Sequence, residues 1–252
     1  VMYSDPNSVK RISSLGAGPI GGGWTAHFLA RGYDVTAYLH DKSETNSFMS
    51  ILKTAWVSLA ELGLAPNASM DRLRIVTDLE EALDGADFVQ ESGPERLEVK
   101  QKLYSEMGKI LPSSIIIGSS TSGLMMSDIQ SDCSTPERTV IGHPFNPPYL
   151  LPLVEIVGGK RTAPEAVAWA GEFYKAAGKA PLMMKKEIPG FVATRLQEAL
   201  WREALHMVAN GEATPEDIDN ALMNGPAPRM AAQGQCMAFH VACGTGGMAT
   251  NL

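Results

Sequence analysis

The chain has 252 residues, 44% hydrophobic and 19% charged, which suits a soluble globular protein with material for one large domain or two smaller ones and excludes a disordered or fibrous one. A formal charge of −7 without any basic run argues against nucleic acid or an anionic membrane as partner. Cys133, Cys236 and Cys243 lack CxxC spacing, the five histidines lack ligand spacing, and there is no apolar run of membrane-spanning length; a cytoplasmic protein with reduced thiols, no secretory leader and no metal is expected.

Residues 9–15 predict a strand, 20–31 a helix and 34–39 a second strand. The spacing of Met49, Leu52, Ala55, Trp56 and Leu59 predicts a helix over 47–62. Further short apolar runs at 74–76, 88–90, 115–118, 139–142 and 153–157 predict strands. A helix is expected over 163–177, opened by a capping box with Thr162 as N-cap and Glu165 at N3, then a last strand at 180–184. Such alternation means a mostly parallel sheet covered on both faces. At 185–190, KKEIPG, the character changes. A long helix is expected over 191–210, with Gly211 as its C-cap, then another opened by Thr214 as N-cap with Pro215 at N1 and Asp217 at N3. The fold class is therefore α/β: a Rossmann-type doubly wound sheet over 1–187, followed by a smaller all-α domain over 188–252.

The run LGAGPIG at 15–21 places Gly16, Gly18 and Gly21 in a G-x-G-x-x-G register. Between a strand and a helix, these glycines allow a tight turn, close approach of backbone to a pyrophosphate, and close helix–strand packing. The helix N-terminus, with Pro19 and Ile20 in its first turn, offers free N–H groups to phosphates. At the end of the second strand, where an acid would hold the adenosine ribose, stands Leu39, followed by His40, Asp41 and Lys42. Asp41 is within reach of a ribose, His40 and Lys42 suit a 2′-phosphate, and all three suit a solvated loop. NAD is expected, with NADP left open.

Three later stretches, SSTSGL at 119–124, GHPFNP at 142–147 and LVEIV at 153–157, together with the glycine loop resemble the 3-hydroxyacyl-CoA dehydrogenase family. GFVATR at 190–195 and TPEDID at 214–219 extend the likeness to that family's second domain. LGLAP at 62–66, FVQES at 88–92, YLLPLVE at 149–155 and EALWREAL at 198–205 are similar to its carnitine-oxidising branch.

The resemblance implies that His143 is the general base for the substrate hydroxyl, that Glu155 orients it, and that Ser122 holds the substrate oxygen. It further implies Glu95 and Lys100 beside the cofactor, and Asn146, Tyr149 and Thr194 on the substrate side. A histidine base with a carboxylate partner makes chemical sense, since imidazole titrates near neutral pH and the carboxylate raises its basicity. Carnitine carries a trimethylammonium group, for which Phe145, Tyr149, Trp201 and Phe239 are the available rings.

The chain departs from the pattern at Leu39, at Ser13-Ser14 within an otherwise apolar strand, and at Thr194, where acyl-CoA members carry Asn and carnitine members Asp. A tryptophan expected near 229–232 is absent. The expected activity is NAD-dependent oxidation of L-carnitine at its 3-hydroxyl, by a homodimer joined through the helical domain. The alternatives are a 3-hydroxyacyl-CoA or L-gulonate dehydrogenase, or a crystallin-like protein that binds NAD(P)H without turnover.

Overall fold

The computed structural model describes residues 3–250, which divide into two compact units, one ending at Val192 and the other beginning at Ala193. In the first unit β1 (Arg11–Leu15), β2 (Asp34–Tyr38), β3 (Leu73–Val76), β4 (Phe88–Glu91), β5 (Ile116–Ser119), β6 (Thr139–Pro144), β7 (Leu153–Gly158) and β8 (Ala180–Met183) form one sheet. The strand order is β3-β2-β1-β4-β5-β6-β7-β8. All neighbours are parallel except β6 and β7, which run antiparallel.

The helices of this unit are α1 (Pro19–Ala30), α2 (Thr45–Leu62), α3 (Leu79–Leu83), α4 (Leu97–Ile110), α5 (Met126–Ile129) and α6 (Pro164–Ala176). Both sheet faces are covered, as near-continuous apolar strands require. One core cluster gathers Trp24, Phe28, Phe48, Phe88, Trp169 and Phe173 around α1, α2 and α6. The other gathers Tyr104, Met107, Ile129 and Phe191 with α4 and α5. Burying each such side chain contributes roughly 1.5–3 kcal/mol.

The two serines of β1 are satisfied within this core. Ser13 donates to the Ala82 carbonyl; Ser14 donates to the Gly21 carbonyl at 3.4 Å and accepts from Thr25 at 2.9 Å. Ser14 thereby ties β1 to α1, which explains a polar residue in a buried strand. The stretch at 97–110 is a helix whose buried face carries Lys100 beside Tyr104, Met107 and Gly108.

Three local expectations need correction. Thr162 does not cap α6, whose N-cap Ala163 has no side-chain cap. Its hydroxyl instead donates to the Thr139 carbonyl at 2.7 Å and accepts from Gly159 N–H at 2.8 Å and the Gln130 amide at 3.2 Å, so a tertiary network wins over the local motif. Leu39 does not present its side chain at the strand end; it is fully buried in the first core cluster. The long helix begins at Ala193 rather than 191, since Phe191 has φ +51° and is fully buried in the second cluster.

The second unit contains α7 (Ala193–Ala209), α8 (Pro215–Asn224), α9 (Pro226–Gln233) and α10 (Gln235–Ala242). Gly211, at φ +70°, ends α7: its N–H donates to Val208 O and the Glu212 N–H to Met207 O, the paired bonds of a Schellman motif. Thr214 and Asp217 exchange bonds in a full capping box at α8. Among the described residues no helix is long and apolar enough to cross a membrane.

Candidate active site

The strand order reverses between β1 and β4, and in open α/β sheets the crevice beyond the carboxyl ends at such a switch point is where ligands bind. Each residue group of the site follows the carboxyl end of a neighbouring strand. The glycine loop follows β1, Ser92–Glu95 follow β4, Ser120–Ser122 follow β5, and His143 is the last residue but one of β6.

Gly16 has φ +124°, and a Cβ there would sit 2.3 Å from the Ser92 carbonyl oxygen. A Cβ on Gly21 would sit 2.1 Å from the Gly16 carbonyl oxygen. Both positions therefore exclude any side chain. Gly18 is different: a Cβ would meet nothing within 4 Å, so the space above it is open. It is also the N-cap of α1, and its neighbours Pro19, Ile20 and Gly21 form the first turn, in which the Ile20 and Gly21 N–H groups have no partner inside the helix. An open cradle over a helix N-terminus fits the pyrophosphate of a dinucleotide.

At the β4 end, Glu91 is fully buried and accepts from Gly93 N–H at 2.7 Å, Lys100 Nζ at 2.7 Å and Ser119 Oγ at 2.6 Å. Lys100, expected beside the cofactor, is 1% exposed; its ammonium is committed to Glu91, with Glu95 3.7 Å away. Sequence reasoning missed Glu91, although an acid closing the apolar run FVQE was its signal. Glu95 receives Ser122 N–H at 2.9 Å, Ser122 Oγ at 3.3 Å, Gly123 N–H at 3.3 Å and the Thr121 hydroxyl. The turn after β5 is thus folded around the Glu95 carboxylate, with Ser122 exposed on it.

A second polar cluster lies on the opposite face of the sheet. Ser120 Oγ meets Trp24 Nε1 at 3.1 Å, the Gln90 amide at 2.8 Å and Ser92 Oγ at 2.8 Å, and Tyr174 O–H donates to Gln90 at 2.6 Å. Tyr174 occupies the space left by two glycines: a Cβ on Gly142 would lie 1.9 Å from its oxygen and one on Gly118 2.6 Å.

His143 and Glu155 are direct partners across the antiparallel β6–β7 pair, so their side chains share a face. His143 Nδ1 lies 2.9 Å from Glu155 Oε2, and Glu155 Oε1 accepts the Val192 N–H at 2.8 Å. Glu155 is fully buried and His143 6% exposed. The ring of His143 is braced by Phe145 at 5.5 Å and Phe191 at 5.3 Å between centroids.

Other expected residues are placed less centrally. His40 is exposed, and Asp41, also exposed, caps a 3₁₀ turn by accepting Ser43 N–H at 2.8 Å; the Ser43 hydroxyl, and after it this N–H, holds its carboxyl below the usual range. Asn146 is exposed and precedes a cis proline, and Tyr149 leans on the first core cluster. Thr194 lies in the first turn of α7. Trp201 and Phe239 are exposed in the helical unit.

Sheet order, switch point and glycine loop together define a Rossmann-type, NAD-dependent dehydrogenase. Family models agree: "3-hydroxyacyl-CoA dehydrogenase, NAD binding domain" matches residues 11–188 and "3-hydroxyacyl-CoA dehydrogenase, C-terminal domain" matches 190–250. The chain belongs to the 3-hydroxyacyl-CoA dehydrogenase family and is an NAD-dependent hydroxy-acid dehydrogenase.

It is 54% identical to the L-carnitine dehydrogenase of Streptomyces griseus subsp. griseus, over 97% of this chain and 73% of that protein. It is 48% identical to that of Pseudomonas putida, over 95% of this chain and 75% of the relative. Among solved structures it is similar to 5-formyl-3-hydroxy-2-methylpyridine 4-carboxylic acid 5-dehydrogenase, an NAD+ dependent dismutase. That likeness has a TM-score of 0.86 at 32% identity and covers 93% of this chain and 76% of the other. It is also similar to the 3-hydroxybutyryl-CoA dehydrogenase of Escherichia coli, with a TM-score of 0.77 at 30% identity over 86% of this chain and 47% of that one.

Proposed function

We propose that the chain oxidises L-carnitine at its 3-hydroxyl to 3-dehydrocarnitine. The observation that carries the chemistry is the His143–Glu155 rung. With Nδ1 donating to a buried carboxylate, the lone pair of His143 lies on Nε2, and that atom takes the proton of the substrate hydroxyl. Glu155 holds the ring in this tautomer and stabilises the imidazolium as it forms. Its second oxygen is held by the Val192 N–H, so the carboxylate keeps its orientation while the charge on the ring changes. Ser122 holds the substrate oxygen once its hydroxyl turns from Glu95, a bond of 3.3 Å. Asn146 and Tyr149 complete the substrate side in the first unit, and the Phe145 face suits a trimethylammonium group.

The NAD would be held by Gly16, Gly18, Pro19, Ile20 and Gly21 over the α1 N-terminus, with His40 and Asp41 toward the adenosine and Glu95 toward the nicotinamide half. Lys100 contributes by fixing Glu91 and Glu95. When bound, NAD supplies the hydride acceptor. The choice of carnitine rests on relatives that carry that name at 44–54% identity.

A homodimer in the cytoplasm is part of the same proposal. Exposed Leu196, Leu200, Trp201 and Leu205 on α7, beside an apolar groove of about 600 Å³ between α7 and α8, support association through the helical unit. The test is a panel of L-carnitine, a 3-hydroxyacyl-CoA and L-gulonate with NAD and with NADP, read as absorbance of the reduced cofactor. L-Carnitine with NAD is expected to lead; turnover of only the other substrates would remove the carnitine assignment.

A further inference from the structure

Lys179 sits at the entry to β8 and is only 8% exposed. Its ammonium donates to the carbonyls of Pro148 and, at 3.2 Å, Leu151, and lies 5.1 Å from the centre of the Trp24 ring. Both carbonyls belong to the connection at 145–152, whose feet are β6 with His143 and β7 with Glu155. Trp24 lies on α1, and its indole N–H reaches Ser120 at the end of β5. The same connection is seated on α1 by shape, since a Cβ on Gly23 would lie 2.7 Å from Pro148 Cδ.

A methionine would fill this space without a buried charge. The two carbonyls would then lose their donor, and a buried unpaired carbonyl is costly. We propose that Lys179 is a positioning residue for the reaction: its ammonium fastens the connection between His143 and Glu155 onto the helix that follows the glycine loop. The inference rests on the reading of His143 as the base. The groups facing the ammonium are His27 from α1 and Arg31 just beyond its end; α6 offers the Tyr174 carbonyl to the Lys179 N–H, and the connection's one titratable residue is Tyr149. Burial, and after it Arg31, pulls the ammonium from the usual lysine range down to about 8, so its charge is held against a desolvation cost.

The test compares Lys179→Met and Lys179→Gln with the wild type in the full chain. The readouts are kcat and KM with L-carnitine, NADH affinity by fluorescence, and histidine side-chain NMR. For Lys179→Met a fall in kcat of about 10- to 100-fold is expected, with NADH affinity within about twofold. The His143 imidazole signals are expected to move while those of exposed His40 and His206 stay; Lys179→Gln, which keeps a donor, should recover part of kcat. Unmoved His143 signals would overturn the inference, as would NADH affinity falling in step with kcat. If the wild type fails to turn over L-carnitine, the substrate reading falls, and the NMR comparison alone decides the role of Lys179. If Lys179→Met does not fold, the same readouts on Lys179→Gln decide it.

Discussion

Glu155 grips His143 at 2.9 Å through one carboxylate oxygen and holds the Val192 N–H at 2.8 Å through the other. His143→Ala is expected to lower kcat by roughly 10²–10⁴-fold, the usual contribution of a general base, with NADH binding retained. Glu155→Gln should cost roughly tenfold or more, and the double variant should be no worse than His143→Ala alone, because the two act as one unit. Steady-state NADH formation measures all three. Near-normal kcat in His143→Ala would remove the base assignment.

The glycines of the loop separate folding from binding. Gly16→Ala forces a side chain into φ +124° and against the Ser92 carbonyl, and should destabilise by about 2 kcal/mol or more. Gly18→Ala meets open space at φ −74°. It should leave stability within about 0.5 kcal/mol while weakening NADH binding. Urea unfolding beside NADH titration distinguishes the two outcomes; tight NADH binding by Gly18→Ala would refute the cradle.

Lys100 and Glu91 form a buried ion pair, 1% and 0% exposed at their side chains. Lys100→Met strands the Glu91 carboxylate and should cost about 3–5 kcal/mol, whereas the double variant Lys100→Met with Glu91→Leu should recover most of that loss. Denaturant midpoints at pH 7 test this. A single variant as stable as the wild type would mean that the carboxylate finds water or another donor.

His27 makes folding sensitive to acid. Its Nε2 donates to the Ala177 carbonyl at 2.8 Å, and Nδ1 has no partner among the described residues. Burial, reinforced by Lys179 and opposed by the Ala177 bond, lowers its pKa to about 3. Below an unfolded value of about 6.5 the unfolded chain takes up a proton that the folded chain refuses, so stability is full above that pH and falls toward about pH 3. Between pH 7.5 and 5 this amounts to about 2 kcal/mol. His27→Gln, which can still donate to Ala177, should lose that much less over the same interval in urea unfolding. Identical acid sensitivity of the two proteins would contradict the assignment.

What could be read from the sequence is what depends on neighbours along the chain. The β1–loop–α1 unit, the Thr214 capping box and the helix end at Gly211 are local, and they appear where expected. The pairing of His143 with Glu155 came through family likeness, because the register that aligns them depends on β6 and β7 being antiparallel within a sheet otherwise predicted to run parallel. Thr162 misled because a complete local capping pattern lost to Gln130 and Thr139. Leu39 misled because the position after the second strand is a buried one here, filled by an apolar side chain in the first core cluster. Lys179 was invisible because its partners are backbone carbonyls 28 and 31 residues away, and a carbonyl has no letter in the sequence.

Gly142 and Gly118 leave room for the hydroxyl of Tyr174 directly behind the strand that carries His143. The His143–Glu155 pair is thereby a fixture of the sheet, backed by an aromatic ring and set by the β6–β7 register. On the proposed reading, substrate range rests instead with the turn at 122–124 and the connection at 146–151. An engineer wishing to redirect this enzyme can redraw those two segments and leave the acid–base machinery untouched, provided that Lys179 still finds its two carbonyls.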